Sequence, residues 1–229
     1  MSLLVFFGFL FLLPITLFTL VPFGFALVSF KNLLTLPWQM IRVAFDKRRR
    51  RNHAVEHATI HILEQRYSAN LSVGGFAEPD GFFIQAPLNP SLVLNAAREG
   101  LQRLQAGETK LALHPRCATM VVSGQLISVI TFFAMLIGMN NISFSSVLFA
   151  MFIAIMAARA LAQPVGLFLQ RMLTTSTDLQ GMYIDRLDTQ MPVNPFILIV
   201  GNGLSTKFRV WTRYIQVQKG MKPKRYKAY

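Results

Sequence analysis

ATMVVSGQLISVITFFAMLIGMNNISFSSVLFAMFIAIMAA, residues 118–158, contains no Asp, Glu, Lys or Arg. A helix rises about 1.5 Å per residue, so the run is long enough to cross a ~30 Å hydrocarbon core twice. Gly138-Met139-Asn140-Asn141 supplies the turn. The stretch therefore predicts a transmembrane helical hairpin over 118–138 and 142–162. Ser123, Gly124, Ser128, Ala150, Ala154 and Ala157 are small enough to let two helices approach closely. The absence of ionisable groups also argues against a transport path.

Composition agrees with this reading. The 229-residue chain is 53% hydrophobic with 20 Phe, yet its formal net charge is +13. A soluble protein with that much apolar surface would aggregate, whereas a membrane protein with basic flanks would not. Residues 3–30 form another uncharged run, interrupted by Pro14 and Pro22, which kink a helix or split it into a shallow hairpin. There is no basic n-region and no small-x-small cleavage site, so the segment reads as a retained anchor rather than a signal peptide. The single cysteine, Cys117, excludes an internal disulfide.

Charge sets the expected topology. None of the 23 Lys and Arg residues precedes Lys31, and none lies between Arg116 and Arg159. The positive-inside rule places both basic segments on the cytoplasmic side, or the stromal side of a plastid membrane. Residues 31–51 are amphipathic and end in Lys47–Arg51, five consecutive cations suited to anionic lipid headgroups. From Lys207 the chain carries eight cations and no acid, which reads as a basic tail near lipid, a ribosome or an acidic membrane complex. No specific nucleic-acid contact is expected.

Between these segments lies NHAVEHATIHILE, residues 52–64. With His53 at zero on an ideal helix, Glu64 falls near ~20°, His57 near ~40°, His61 near ~80° and Glu56 near ~−60°. One face carries every metal-capable side chain, while Val55, Ala58 and Ile62 lie on the packing side. The fourth histidine is in His114-Pro115-Arg116-Cys117. Two histidines at i and i+4 suit a zinc ion bound at ~2.0–2.1 Å per nitrogen, and a neighbouring glutamate suits proton transfer. His53-x-x-Glu56-His57 is the reversed order of the zinc-protease helix motif. Glu64, His61, His114 and Cys117 are all chemically suitable as a further ligand. Lipid phosphate binding, or a polar core network with Glu56 and Glu64, is the plainer alternative.

The rest of the central segment predicts a small α+β domain. The Glu78-Pro79-Asp80-Gly81 turn sits between apolar runs, predicting a hairpin with strands near 71–77 and 82–86. Leu92, Val93, Ala96, Ala97, Leu101 and Leu104 recur at helical spacing. That helix starts near Asn89-Pro90-Ser91 and stops at Gly107. Residues 164–178 begin with proline and read as an interfacial helix; residues 179–204 give no clear pattern.

Three blocks carry a family resemblance. HAVEHATIHILE resembles the HGAEHKT motif of a bacterial integral-membrane family of unknown function, labelled predicted metal-dependent enzymes. LHPRCATMVV resembles its HPRCGTSF block, and PVGLFLQRMLTTSTDLQ its later PGLWLQRLTTREPD-x-Q block. VGGFAEPDGFFI and the QAGE before HPRC are similar to a cyanobacterial and plastid relative of that family. The resemblance covers about residues 45–190. It implies that His53, Glu56, His57, His114 and Cys117 form the functional set. Ala54 and Ala118 depart from family glycines, and His61 lies outside the motif.

Together these readings predict a predominantly α-helical integral membrane protein of a bacterial plasma or thylakoid membrane. About three transmembrane segments accompany a small α+β cytoplasmic domain. The expected divisions are an anchor at 1–30, the basic helix and α+β domain at 31–117, the hairpin at 118–162, and an interfacial helix with basic tail at 163–229. The expected function is that of a membrane-bound zinc hydrolase, peptidase-like, with Glu56 as the base. His53, His57, His114, Cys117 and Glu64 are its candidate ligands for a divalent metal. The alternative is an assembly or scaffold factor with a structural metal or histidine–carboxylate site. A histidine-held pigment or haem is a third option.

Overall fold

The computed structural model describes residues 35, 37, 38, 40–67, 73–190 and 206–215. The expected N-terminal anchor at 1–30 and the end of the basic tail lie outside these residues. The chain is mostly helical with a small sheet, and it divides into two compact units. One holds Arg116–Gly166 together with the segment up to Arg42; the other holds Val43–Pro115 and Leu167–Tyr229.

The second unit is built around helix α1, Lys47–Tyr67. Residues 40–45 are also helical, and Asp46 separates the two stretches. Asp46 Oδ1 accepts from the backbone N–H of Arg48 at 2.9 Å and of Arg49 at 3.2 Å. It thus caps a helix whose first turn would otherwise present only cations to the positive end of the dipole. The histidine-bearing helix therefore starts at Lys47, after the amphipathic stretch.

Strands β1 (Gly74–Glu78) and β2 (Gly81–Ala86) form the expected antiparallel hairpin. Helix α2 spans Pro90–Gln105, with proline in its first turn and Asn89 at the N-cap. Gly107 follows at φ +101°, a conformation that a side chain disfavours. A single 3₁₀ turn, Thr109–Ala112, then leads to His114.

The remaining strands come from the region that resisted reading. Strand β3 is Met182–Gln190 and strand β4 is Thr206–Tyr214, and the antiparallel sheet order is β1-β2-β4-β3. Residues 207–214, expected to be basic tail, are thus a central strand. Their sequence alternates: Phe208, Val210 and Thr212 are buried, while Lys207, Arg209, Trp211 and Arg213 occupy the other face. On that outer face Arg209 lies 3.9 Å from the Trp211 ring centroid and Lys207 lies 4.1 Å from that of Phe83. Aromatic partners thus hold the cations of the strand.

Val55, Ala58, Ile62 and Leu63 of α1 join Val93, Ala96, Ala97 and Leu101 of α2 in one core with Phe82, Ile84, Phe208 and Val210 of the sheet. Gly100 permits the close helix approach, because a Cβ there would sit 3.0 Å from the Ala58 carbonyl carbon.

The first unit contains helix α3, Ala118–Ile137, and most of helix α4, Phe144–Leu169. Both are long and apolar enough to cross a membrane. Ala150 and Ala154 are buried, and a Cβ on Gly124 would lie 3.3 Å from Ala162 Cβ. Small residues mark the close approach, as expected. Pro164 does not start a new helix: α4 runs through it and passes into a π-helical turn, Gln170–Thr174.

Candidate metal centre

Four histidines and Glu64 of the second unit line up along one side of α1. The imidazole ring centroids follow one another from His53 to His57 at 4.2 Å, from His57 to His114 at 5.8 Å, and from His114 to His61 at 4.9 Å. The helical spacing of residues 53, 57 and 61 produces three of these positions. His114 reaches the stripe because the segment after the 3₁₀ turn runs beside α1.

Backbone carbonyls orient the rings. His53 Nδ1 is 2.9 Å from the Thr174 carbonyl oxygen, and His57 Nδ1 is 2.7 Å from that of Ala112. A carbonyl oxygen only accepts, so each Nδ1 carries the proton and donates it. The lone pair of each ring is then on Nε2. His61 is reversed: its Nε2 donates to the Leu113 carbonyl at 2.8 Å, which puts the lone pair on Nδ1. Such outer hydrogen bonds fix tautomer and ring direction in metal-binding histidines. Ring nitrogens of His53 and His57 lie within 4.8 Å of each other, as do the ligand atoms of His61, Glu64 and His114.

His114 is held by its backbone. Its N–H donates to Gln170 Oε1 and its carbonyl accepts from Gln170 Nε2, both at 2.9 Å. Gln170 is fully buried, and its own carbonyl accepts from the N–H and hydroxyl of Thr175 at 2.9 and 2.8 Å. Sequence reasoning missed Gln170. Its signal was a lone amide in the apolar PVGLFLQ block.

Glu56 is only 4% exposed, and its carboxylate occupies the space above β1 at Gly75. A Cβ on Gly75 would stand 2.2 Å from Glu56 Oε1, so any side chain there displaces the acid. Asn52, also unforeseen, ties α1 to the sheet. Its Nδ2 donates to the Glu78 carbonyl at 2.6 Å, and its Oδ1 accepts from Thr212 Oγ1 at 2.8 Å. Cys117 belongs to the other unit, where it is the N-cap residue of α3, with Sγ 3.5 Å from Thr119 Oγ1.

Outside the histidine stripe, Lys47 and Arg51 of α1 both pair with Asp178, the lysine at 3.2 Å. Hydrogen bonds from Arg51 and then Lys47 hold the Asp178 carboxyl below its usual range. Burial pushes the Tyr214 hydroxyl up, and the Arg51 guanidinium lies 5.3 Å from its ring.

A buried set of imidazoles with fixed tautomers beside carboxylates is the donor chemistry of a first-row divalent metal site. Comparisons with known proteins return no activity. An uncharacterized protein of Picosynechococcus sp. (strain PCC 7002) is 30% identical over 80 residues, which cover 31% of this chain and 39% of that protein. The chain thus aligns with well under half the length of that relative. No solved structure matches. A family model described as "Domain of unknown function (DUF6391)" matches residues 48–187, which take in α1, the hairpin, α2, α3, α4 and most of β3, and the chain therefore belongs to this family.

Proposed function

We propose that this protein is a membrane-bound metal-dependent hydrolase, peptidase-like, with zinc as its ion. The observation that carries the reading is the pair His53 and His57, one helical turn apart, each with Nδ1 tied to a carbonyl and Nε2 directed away from it. Zinc bound there would act as a Lewis acid and bring the pKa of a bound water to about 7. His53 and His57 would hold the ion, with His114 or Glu64 of the same unit completing the shell. Glu56, between the two histidines on the helix, holds the proton that hydrolysis must move. The long apolar helices α3 and α4 support attachment to a bilayer, and the basic segments support a cytoplasmic or stromal position on anionic lipid.

Elemental analysis of detergent-purified protein tests the ion, and cleavage of a quenched peptide library tests the chemistry. Wild type is expected to carry zinc that His57→Ala loses. Glu56→Gln is expected to keep the metal and lose turnover by ~10²-fold or more. A Glu56→Gln protein as active as wild type, or a wild type without metal, overturns the reading.

One observation favours a second reading. The packing of Glu56 against Gly75 suits a structural carboxylate in a closed site that braces an assembly factor. That reading predicts a mild Glu56→Gln and an unfolded His57→Ala.

A further inference from the structure

The His53–His57 pair leaves half of the stripe unused. His61 lies eight residues from His53, about 12 Å along the helix axis. Two donors on one tetrahedral ion with ~2.0–2.2 Å bonds stand only about 3.4 Å apart. His61 therefore serves a different ion from His53, or none.

Around His61 the donors form a set of their own. His61, Glu64 and His114 each offer a ligand atom within 4.8 Å of the other two. All three belong to the same unit. His114 Nε2 stands 3.3 Å from both Glu64 Oε1 and Glu64 Oε2. That is long for a charge-assisted hydrogen bond, which falls at ~2.7–2.9 Å. It matches the spacing of two ligands on one ion. Two of the three members are also held in place from behind: His61 through the Leu113 carbonyl, which leaves its lone pair on Nδ1, and His114 through both backbone bonds to Gln170. Glu64, three residues from His61, lies one helical turn along the same face.

We propose that His61 Nδ1, the Glu64 carboxylate and His114 Nε2 form a second divalent-metal site, separate from the His53–His57 pair, so that the protein takes up two ions per chain. Two imidazoles and one carboxylate suit zinc, and also iron or manganese in the ferrous or manganous state. The proposal does not depend on hydrolase activity. It removes His114 and Glu64 from the ligands available to the first ion.

The test is titration of chelator-stripped, full-length protein in detergent with Zn²⁺, read by calorimetry and elemental analysis, and with Co²⁺, read by its visible absorption. Wild type is expected to bind two ions. His61→Gln keeps a donor for the Leu113 carbonyl but removes the ring nitrogen, and Glu64→Gln preserves size while removing charge. Each is expected to lose one ion, with its Kd raised at least ~100-fold, while His53→Gln and His57→Gln lose the other. Unchanged two-ion binding in both Glu64→Gln and His61→Gln overturns the proposal. A single ion lost in His57→Gln but kept in Glu64→Gln overturns it and leaves the His53–His57 reading standing. A single ion lost in Glu64→Gln but kept in His53→Gln supports the His61–Glu64–His114 site, but overturns two-ion uptake and sinks the His53–His57 reading. No ion in wild type sinks both. Where His61→Gln fails to fold by circular dichroism, Glu64→Gln decides.

Discussion

Helix α1 buries ten of its 21 residues, among them Asn52, Glu56, His57 and Thr59. Helix α3 buries four of 20, although none of its residues is charged. A helix in water hides its apolar side and exposes its polar one. Here the polar helix is inside and the apolar helix is outside. Among the buried polar groups of α1, Asn52 bonds the Glu78 carbonyl and Thr212, His57 the Ala112 carbonyl and Thr59 the Val55 carbonyl, so their desolvation is offset. The exposed Ile130, Phe133, Ile137 and Phe152 of α3 and α4 have no such account in water. They have one in hydrocarbon, where apolar surface is not penalised. The contrast is one of packing, and the two apolar helices are long enough to cross a membrane.

The sharpest test of that contrast uses the same substitution in both units. Phe82 is fully buried and Phe133 is 56% exposed. Phe82→Ala should destabilise the second unit by about 3–5 kcal/mol. Phe133→Ala should stay within ~0.5 kcal/mol. Denaturant unfolding of the detergent-purified protein measures both, and equal losses would erase the distinction.

Ile130→Lys probes the solvent of α3 directly. If the helix spans a bilayer, the lysine should cost about 2.5–3.5 kcal/mol of insertion free energy and lower the membrane-integrated fraction. A variant that integrates like wild type argues that this face meets water.

On the polar side, Gln170→Ala leaves the buried N–H and carbonyl of His114 without their side-chain partner. A loss of about 1–3 kcal/mol is expected, together with weaker metal uptake. Gln170→Glu keeps the acceptor and should lose less at acidic pH, where its protonated form can still donate.

The smallest effect is at the rim of α1. Asp178 has a depressed carboxyl pKa because Arg51 and Lys47 favour its charged form. A lowered folded-state pKa contributes stability above the unfolded value of about 3.9, and that stability is lost as pH falls through the folded value. Asp178 is half exposed, so the contribution is under ~1 kcal/mol. Asp178→Asn should show that small deficit at pH 7 and a shrinking one as pH falls below the unfolded value of about 3.9. Urea midpoints across this range check it.

Local patterns foretold much of this architecture. The hairpin at Asp80-Gly81, helix α2 between Asn89 and Gly107, and the two apolar helices follow from turn chemistry and periodicity over a few residues. The same holds for the histidine stripe and the packing side of Val55, Ala58 and Ile62, which a helical period of 3.6 places without tertiary information. Strand β4 was hidden because its eight-cation context reads as solvated tail; only pairing with β2 and β3 turns its alternation into a buried face. Pro164 read as a helix start, whereas α4 continues through it.

What the chain alone determined was therefore which side chains share a face: three histidines and Glu64 on one stripe, and an uncharged apolar run over residues 118–158. What the tertiary structure decided was how those groups are oriented. The carbonyls of Thr174, Ala112 and Leu113 select the lone-pair nitrogen of each ring, Gln170 holds His114 beside Glu64, and Gly75 makes room for Glu56. These partners come from chain positions far from α1, and hydrogen bonds between distant backbone groups leave no periodic mark in a sequence.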